Sequence, residues 1–259
     1  MKPGARSVRV VVAAVAVTAA AAATAASAAS TAGDAPAVRA VQQAPQGAAL
    51  PDVDAIVTHE VTQVLASGVT RIDRWAERRV RRGDEVWIER VLPAVVSAAG
   101  PGHGHDESAG HRGHRHLDAQ TSAHWITKAP DGSIVLRLVD RVHRVVVAVP
   151  RAEFTSVGFD GRFDAAASLI PPAIAASLAP EADGSPGEAW RSERAAGWHH
   201  RVRWSDALQM ALQVESRRDD GSVRRSVVVT LQPDAGVAVA APWQRLDGFA
   251  TRYYDEYMD

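Results

Sequence analysis

By type and spacing, the residues best suited to chemistry are five imidazoles, His103, His105, His111, His114 and His116. They fall within GHGHDESAGHRGHRHLD, residues 102–118. Their spacings are i, i+2 and i, i+3, with Asp106, Glu107 and Asp118 as further oxygen donors. With an unperturbed pKa of ~6.5, many of these rings are neutral near pH 7 and can ligate Zn, Cu or Ni. Gly102, Gly104, Gly110 and Gly113 work against a fixed site, because ordering such a loop costs on the order of 1 kcal/mol per residue. The spacing also matches no named zinc motif. Three readings stay open: a spacer that takes up exchangeable metal, a solvated insertion with no ligand, and a loop that gains charge below pH ~6.

Other candidates for chemistry are weaker. His199 and His200 are adjacent, so in a strand their rings point to opposite faces and cannot share a ligand. His124 and His143 are isolated. Ser205-Asp206 has no Gly-x-Ser-x-Gly context, and cysteine is absent. Neither a phosphate loop nor a dinucleotide fingerprint occurs. The expectation is a protein that is not an enzyme.

The elements that would position these residues begin with a targeting segment. Lys2, Arg6 and Arg9 precede a small-apolar run, residues 10–26, that ends in Ala-Ser-Ala-Ala. This pattern predicts a signal peptide, residues 1–28, with cleavage after Ala28. No other stretch approaches the ~18 apolar residues a membrane span needs. A mature N-terminal cysteine for lipid attachment is lacking, so a periplasmic or secreted monomer is expected. The formal net charge of -1 gives no reason to expect a nucleic-acid partner. Residues 29–51, rich in Ala, Gln, Pro and Gly, predict a disordered linker.

Residues 52–259 predict a single domain carrying the His/Gly-rich loop at 100–117. Val53, Ile56, Val57, Val61, Val64 and Leu65 recur at helical spacing after Asp52 and stop at Ser67-Gly68, which predicts an opening helix. Residues 69–80 and 85–92 read as strands around Arg82-Gly83-Asp84. Residues 118–126 fit a short helix or a strand equally. Residues 134–139 and 142–149 read as strands, the second valine-rich enough for burial on both faces. Residues 165–178 predict helix interrupted at Pro171-Pro172. Four strands follow at 188–194, 198–204, 210–217 and 223–231. Their connections are too short for anything but antiparallel pairing. An acidic aromatic tail, residues 243–259, closes the chain.

The run from Gly197-Trp198-His199-His200 through Trp204-Ser205-Asp206 to Met210-Ala211-Leu212-Gln213-Val214, with Arg218-Asp219-Asp220-Gly221-Ser222-Val223 after it, resembles a known unit. It is similar to the strand, turn, strand, turn, strand unit of the periplasmic lipoprotein-carrier superfamily that includes the LolA and RseB families. Met210-Ala211-Leu212 stands where that unit usually carries a proline. The resemblance implies an α+β fold: a strongly curved antiparallel β-sheet, a half-barrel, with a few covering helices. Its concave side would hold an acyl chain or a peptide.

The function expected is therefore an exported, non-catalytic binding protein for an apolar or amphipathic ligand, such as a lipid or a lipoprotein-like segment. Tryptophan is costly to expose, so Trp75, Trp87, Trp198 and Trp204 are candidates for a ligand cleft as well as for the core. Alternatives are a metal-binding or metal-delivery accessory protein using the five loop histidines, and an RseB-like regulator of an envelope protein. The arginines at 71–90 and 217–225 fit cross-strand ion pairs on a solvated convex face. They also fit a surface for an anionic partner such as a lipid headgroup, which would bring peripheral membrane contact.

Overall fold

Alternating Val, Ile, Thr and aromatic residues carry the chain through a first run of strands: β1 (Val53–Val64), β2 (Thr70–Arg82), β3 (Glu85–Val91), β4 (Ala123–Lys128), β5 (Ile134–Asp140) and β6 (Val145–Val149). Each pairs antiparallel with the next. A 3-10 turn, Arg151–Glu153, then leads to two short helices, α1 (Phe163–Ser168) and α2 (Pro172–Ser177). The second run is β7 (Ala179–Pro180), β8 (Glu188–Ala195), β9 (Trp198–Ser205), β10 (Met210–Arg218) and β11 (Val223–Leu231), again antiparallel. β11 returns to pair with β1. After a 3-10 turn at Pro242–Arg245, β12 (Ala250–Tyr253) adds to β6 in parallel and runs directly into α3 (Tyr254–Met258). One open twelve-stranded sheet results, in the order β12-β6-β5-β4-β3-β2-β1-β11-β10-β9-β8-β7. The computed structural model describes residues 49–92, 121–182, 187–232 and 240–258, all within one unit, Ala49–Asp259. The expected signal peptide, almost all of the expected linker and the five loop histidines lie outside the described residues.

The fold is α+β, a curved sheet with few and short helices, as the resemblance implied. Curvature is visible in Arg81, whose guanidinium donates to the carbonyl of Leu208 in the β9–β10 turn. Those strands stand three neighbours apart, about 14 Å on a flat sheet, further than an arginine side chain reaches. The sheet bends toward the face that Arg81 occupies, and α1 and α2 cover part of that concave face.

Alternation divides the core by face. On the concave face Val86, Ile126, Leu136, Leu138, Val147 and Val149 pack against Phe154, Phe159, Phe163 and Tyr254. On its other wing Val53, Ala55, Val57, Val202, Trp204, Val227 and Val229 meet Ile170, Ala175 and Leu178. The convex face has a smaller core of Val80, Trp87, Ala123, Val139 and Val146 beneath Trp243, Leu246 and Phe249. β6 is thus buried on both sides, as expected of its valine run, but it starts at Val145, because residues 141–144 form a turn that leaves Val142 exposed. Residues 118–126, which fitted helix and strand alike, contribute β4.

Two expectations are corrected. The opening segment is strand, not helix. Val53, Ala55 and Val57 point to the concave core while Ile56 is half-buried on the other side, and this two-sided burial imitates a helical stripe. Its β-branched residues suit a strand held between β2 and β11. The β2 arginines are likewise not all on the solvated convex face. Arg79 and Arg81 point inward, and Arg81, only 2% exposed, also donates to Pro51 O at 2.8 Å and Ala167 O at 2.8 Å. Burial lowers its pKa to about 10, opposed by Asp52, so it remains charged near neutral pH. Arg74 and Arg78 do form the predicted cross-strand ion pairs, with Glu60 and Asp54 at 2.7 Å each.

Candidate functional site

The helices cover only one half of the concave face. Beyond them, toward the edge bearing the β1–β2, β8–β9 and β10–β11 turns, each strand presents polar and aromatic residues. On β2 alternation places Trp75, Glu77, Arg79 and Arg81 on this face. The register sets His59 of β1 opposite Trp75, and the two rings stack with centroids 4.8 Å apart and planes within 3°. Arg90 lies 5.4 Å from the Trp75 centroid. Glu77 braces this station, with its carboxylate 3.4 Å from His59 Nε2 and 3.3 Å from Arg79 Nη2. Burial works to raise the Glu77 pKa, but the His59 and Arg79 interactions outweigh it and hold the group at about 2. Arg79 Nη1 donates to Ala166 O at 3.0 Å, which ties the station to α1.

A second station stands on the same face four strands away, about 19 Å along a flat sheet and less across a curved one. Trp198 and His200, two residues apart on β9, stack with centroids 5.9 Å apart and planes within 12°. Arg218 and Arg225 approach the Trp198 ring at 5.7 and 5.5 Å. His200 Nδ1 and Ser216 Oγ are 2.8 Å apart across β9 and β10. Burial pushes the His200 pKa down, Glu193 pulls it up and Arg225 pushes it down again. A serine at that distance from an imidazole has general-base geometry. Ser216 is only 3% exposed, and its hydroxyl positions His200 against Trp198. Val61 lies on the floor between the stations, flanked in register by Asp73 and Arg225.

The four candidate tryptophans therefore separate. Trp75 and Trp198 line the open half of the concave face. Trp204 is on that face but 5% exposed beneath the helices, and Trp87 is 0% exposed in the convex core. The metal candidates His103, His105, His111, His114 and His116 lie outside the described residues. Among the described residues, no group of three or more His, Asp or Glu is placed to hold a metal. His199 and His200 do face opposite sides of the sheet. Arg90 and Arg225 belong to the arginine clusters expected to form ion pairs or an anionic-partner surface, whereas His59 was not singled out from sequence. The signal for His59 was the hairpin itself, because a turn centred on Ser67 puts residue 59 opposite residue 75.

The convex face carries a different feature near the same edge. A cavity of about 410 Å³ is lined by Glu181, His199, Arg201, Glu215, Arg217 and Arg224. Glu181 accepts from Arg201 at 2.6 Å. Arg217 Nε donates to His199 Nδ1 at 3.2 Å, so His199 accepts as a neutral ring. Burial lowers its pKa, and Arg194 and Arg217 lower it further.

No family model and no curated protein matches this chain. Solved structures similar to it include PNGF-II, at 9% identity and a TM-score of 0.35, covering 80% of this chain and 33% of that one. This chain thus spans about a third of that protein's length. Others are a putative outer membrane lipoprotein-sorting protein domain from Vibrio parahaemolyticus, at 13% identity and TM-score 0.27, covering 70% and 86%, and a LolA superfamily protein from Nitrosomonas europaea, at 6% identity and TM-score 0.24, covering 70% and 86%. The structural neighbours thus include LolA-superfamily proteins, a loose likeness in fold. A function for this chain has to come from its own residues. Among the described residues no helix is long and apolar enough to cross a membrane.

Proposed function

We propose that this chain is an exported, non-catalytic binding protein that takes an amphipathic ligand with an anionic group on the open half of its concave face. The observation that carries this reading is the pair of Trp–imidazole stacks, Trp75/His59 and Trp198/His200, each with arginine at the indole and both beyond the helices. Tryptophan faces and Val61 offer apolar surface, and each ligand CH₂ buried there contributes about 0.8 kcal/mol. Arg90 and Arg225 have no carboxylate partner among the described residues, so they can meet a carboxylate or phosphate. A sheet edge does not open this face; ligand enters from the side the helices leave bare.

The test is isothermal titration calorimetry with dodecanoate, kept monomeric, against dodecyltrimethylammonium, which shares the alkyl chain and inverts the charge. Saturable dodecanoate binding that falls at least tenfold in the Trp75→Ala/Trp198→Ala variant, with no cation binding, is expected. Equal binding of both amphiphiles, or undiminished binding by the variant, would sink the reading.

A further inference from the structure

One row of the sheet places like charges directly opposite one another. On the convex face the register runs Ile72–Thr62–Arg224–Arg217–His199–Arg194 across β2, β1, β11, β10, β9 and β8. Arg217 and Arg224 are direct cross-strand partners, an arrangement that destabilises a sheet unless an anion offsets it. Of the carboxylates nearby, Glu181 and Glu215 flank Arg201 at 2.6 and 3.8 Å and Asp220 pairs with Arg218 at 3.3 Å, while Asp219 sits in the β10–β11 turn between the two strands. Among the described residues Arg194, Arg217 and Arg224 have no carboxylate partner, and His199 is held neutral between two of them.

The same row ends at Ile72, and the turn above it is apolar. Val64, Leu65, Val69 and Ile72 are 45%, 46%, 58% and 53% exposed, four large aliphatic side chains within nine residues. The tip is held in shape by Leu65 N–H donating to Val69 O at 2.9 Å and Gly68 N–H to Leu65 O at 2.8 Å. It does not fold back to cover its own side chains. Ion pairs with Asp73 and Glu60 occupy Arg71 and Arg74, so the unpaired cations are those of the neighbouring strands.

We infer that this edge is a docking surface for an anionic lipid bilayer. Val64, Leu65, Val69 and Ile72 enter the headgroup boundary, and Arg194, Arg217 and Arg224 contact lipid phosphates. Aliphatic residues beside basic ones on a fixed scaffold bind such interfaces through buried apolar area together with attraction to anionic lipid. The surface is convex, so it is distinct from the concave ligand face and does not depend on it.

The full chain should float with vesicles of phosphatidylcholine containing 30% phosphatidylglycerol and not with pure phosphatidylcholine, and should be released by high salt. At about 1 kcal/mol per arginine near an anionic surface, partitioning should fall roughly fivefold for Arg217→Gln or Arg224→Gln and roughly thirtyfold for the double variant. Leu65→Ser/Val69→Ser should also reduce it, and Trp75→Ala/Trp198→Ala should leave it unchanged. Unchanged far-ultraviolet circular dichroism guards against unfolding. Three results would overturn the inference: equal binding to both vesicles, no vesicle binding at all, or full binding by the arginine double variant. Binding of soluble glycerophosphoglycerol alone would also overturn it, by reducing the row to a site for a free anion.

Discussion

Replacing Glu77 by Gln keeps the size of the side chain and removes the charge that braces His59 and Arg79. The Glu77 pKa is held at about 2, against 4.5 for the unperturbed group, chiefly because the imidazole and guanidinium contacts outweigh the opposing effect of burial. At ~1.36 kcal/mol per unit, this difference amounts to about 3 kcal/mol of folding stability. Because the folded pKa is the lower one, the contribution is complete above pH ~4.5, where the unfolded carboxyl is also ionised. It is lost progressively as pH falls from 4.5 through 2. Urea denaturation of wild type and Glu77→Gln at pH 7, 5, 4 and 3, followed by circular dichroism, should give curves that differ by up to about 3 kcal/mol at pH 7 and converge at low pH. A difference that stays constant from pH 7 to pH 3 would show that the Glu77 charge is not what these contacts recognise, and the account of the Trp75 station would fall with it.

Two further outcomes follow from local geometry. Arg81→Met orphans three buried carbonyls, of Pro51, Ala167 and Leu208, at roughly 1–3 kcal/mol each before relaxation. A melting temperature at least 10 °C lower is expected, at about 2–4 °C per kcal/mol for a domain of this size; Arg74→Met, which removes only an exposed ion pair, should shift it by no more than about 2 °C, and equal shifts would refute the contrast. In the two-residue β8–β9 turn, Ala196 has φ 51° and Gly197 φ 76°, and a turn of that kind favours Asn before Gly. Ala196→Asn should therefore raise the denaturation midpoint, by about 0.5–1 kcal/mol in stability.

How far the sequence could be read depended on whether a residue's environment came from its own strand or from distant ones. The β8–β11 meander was legible because its turns are written locally, Ala196-Gly197 and Asp220-Gly221 among them, and because its strands alternate. Pro171-Pro172 likewise marked the break that separates α1 from α2. Even the departure at Met210-Ala211-Leu212 is structural, since the β9–β10 register slips between Ala211 and Gln213, and all three residues are buried. β1 misled because Ile56 and Val64 on its convex side join Val53, Val57 and Val61 on its concave side to imitate a helical stripe, although burial alternates over residues 53–57. Trp87 and Trp204 looked like Trp75 and Trp198, since nothing within a few residues says that the helices of 163–177 will cover Trp204 or that residues 243–249 will cover Trp87 on the other face. The inward course of Arg81 was out of reach for the same reason: its acceptors are supplied from residues 51, 167 and 208.

An open sheet has two borders, and here each ends in a very short strand. At one border β7 is only Ala179–Pro180, and its proline has no N–H to offer a further strand. At the other, β12 has four residues before the chain turns into α3, where Tyr257 is anchored by its hydroxyl to Asp140 at 3.1 Å. The last turn of the molecule thus acts as a clasp over β6, a strand of valines that would otherwise template growth. Without that clasp, two molecules could join border to border and then recruit a third.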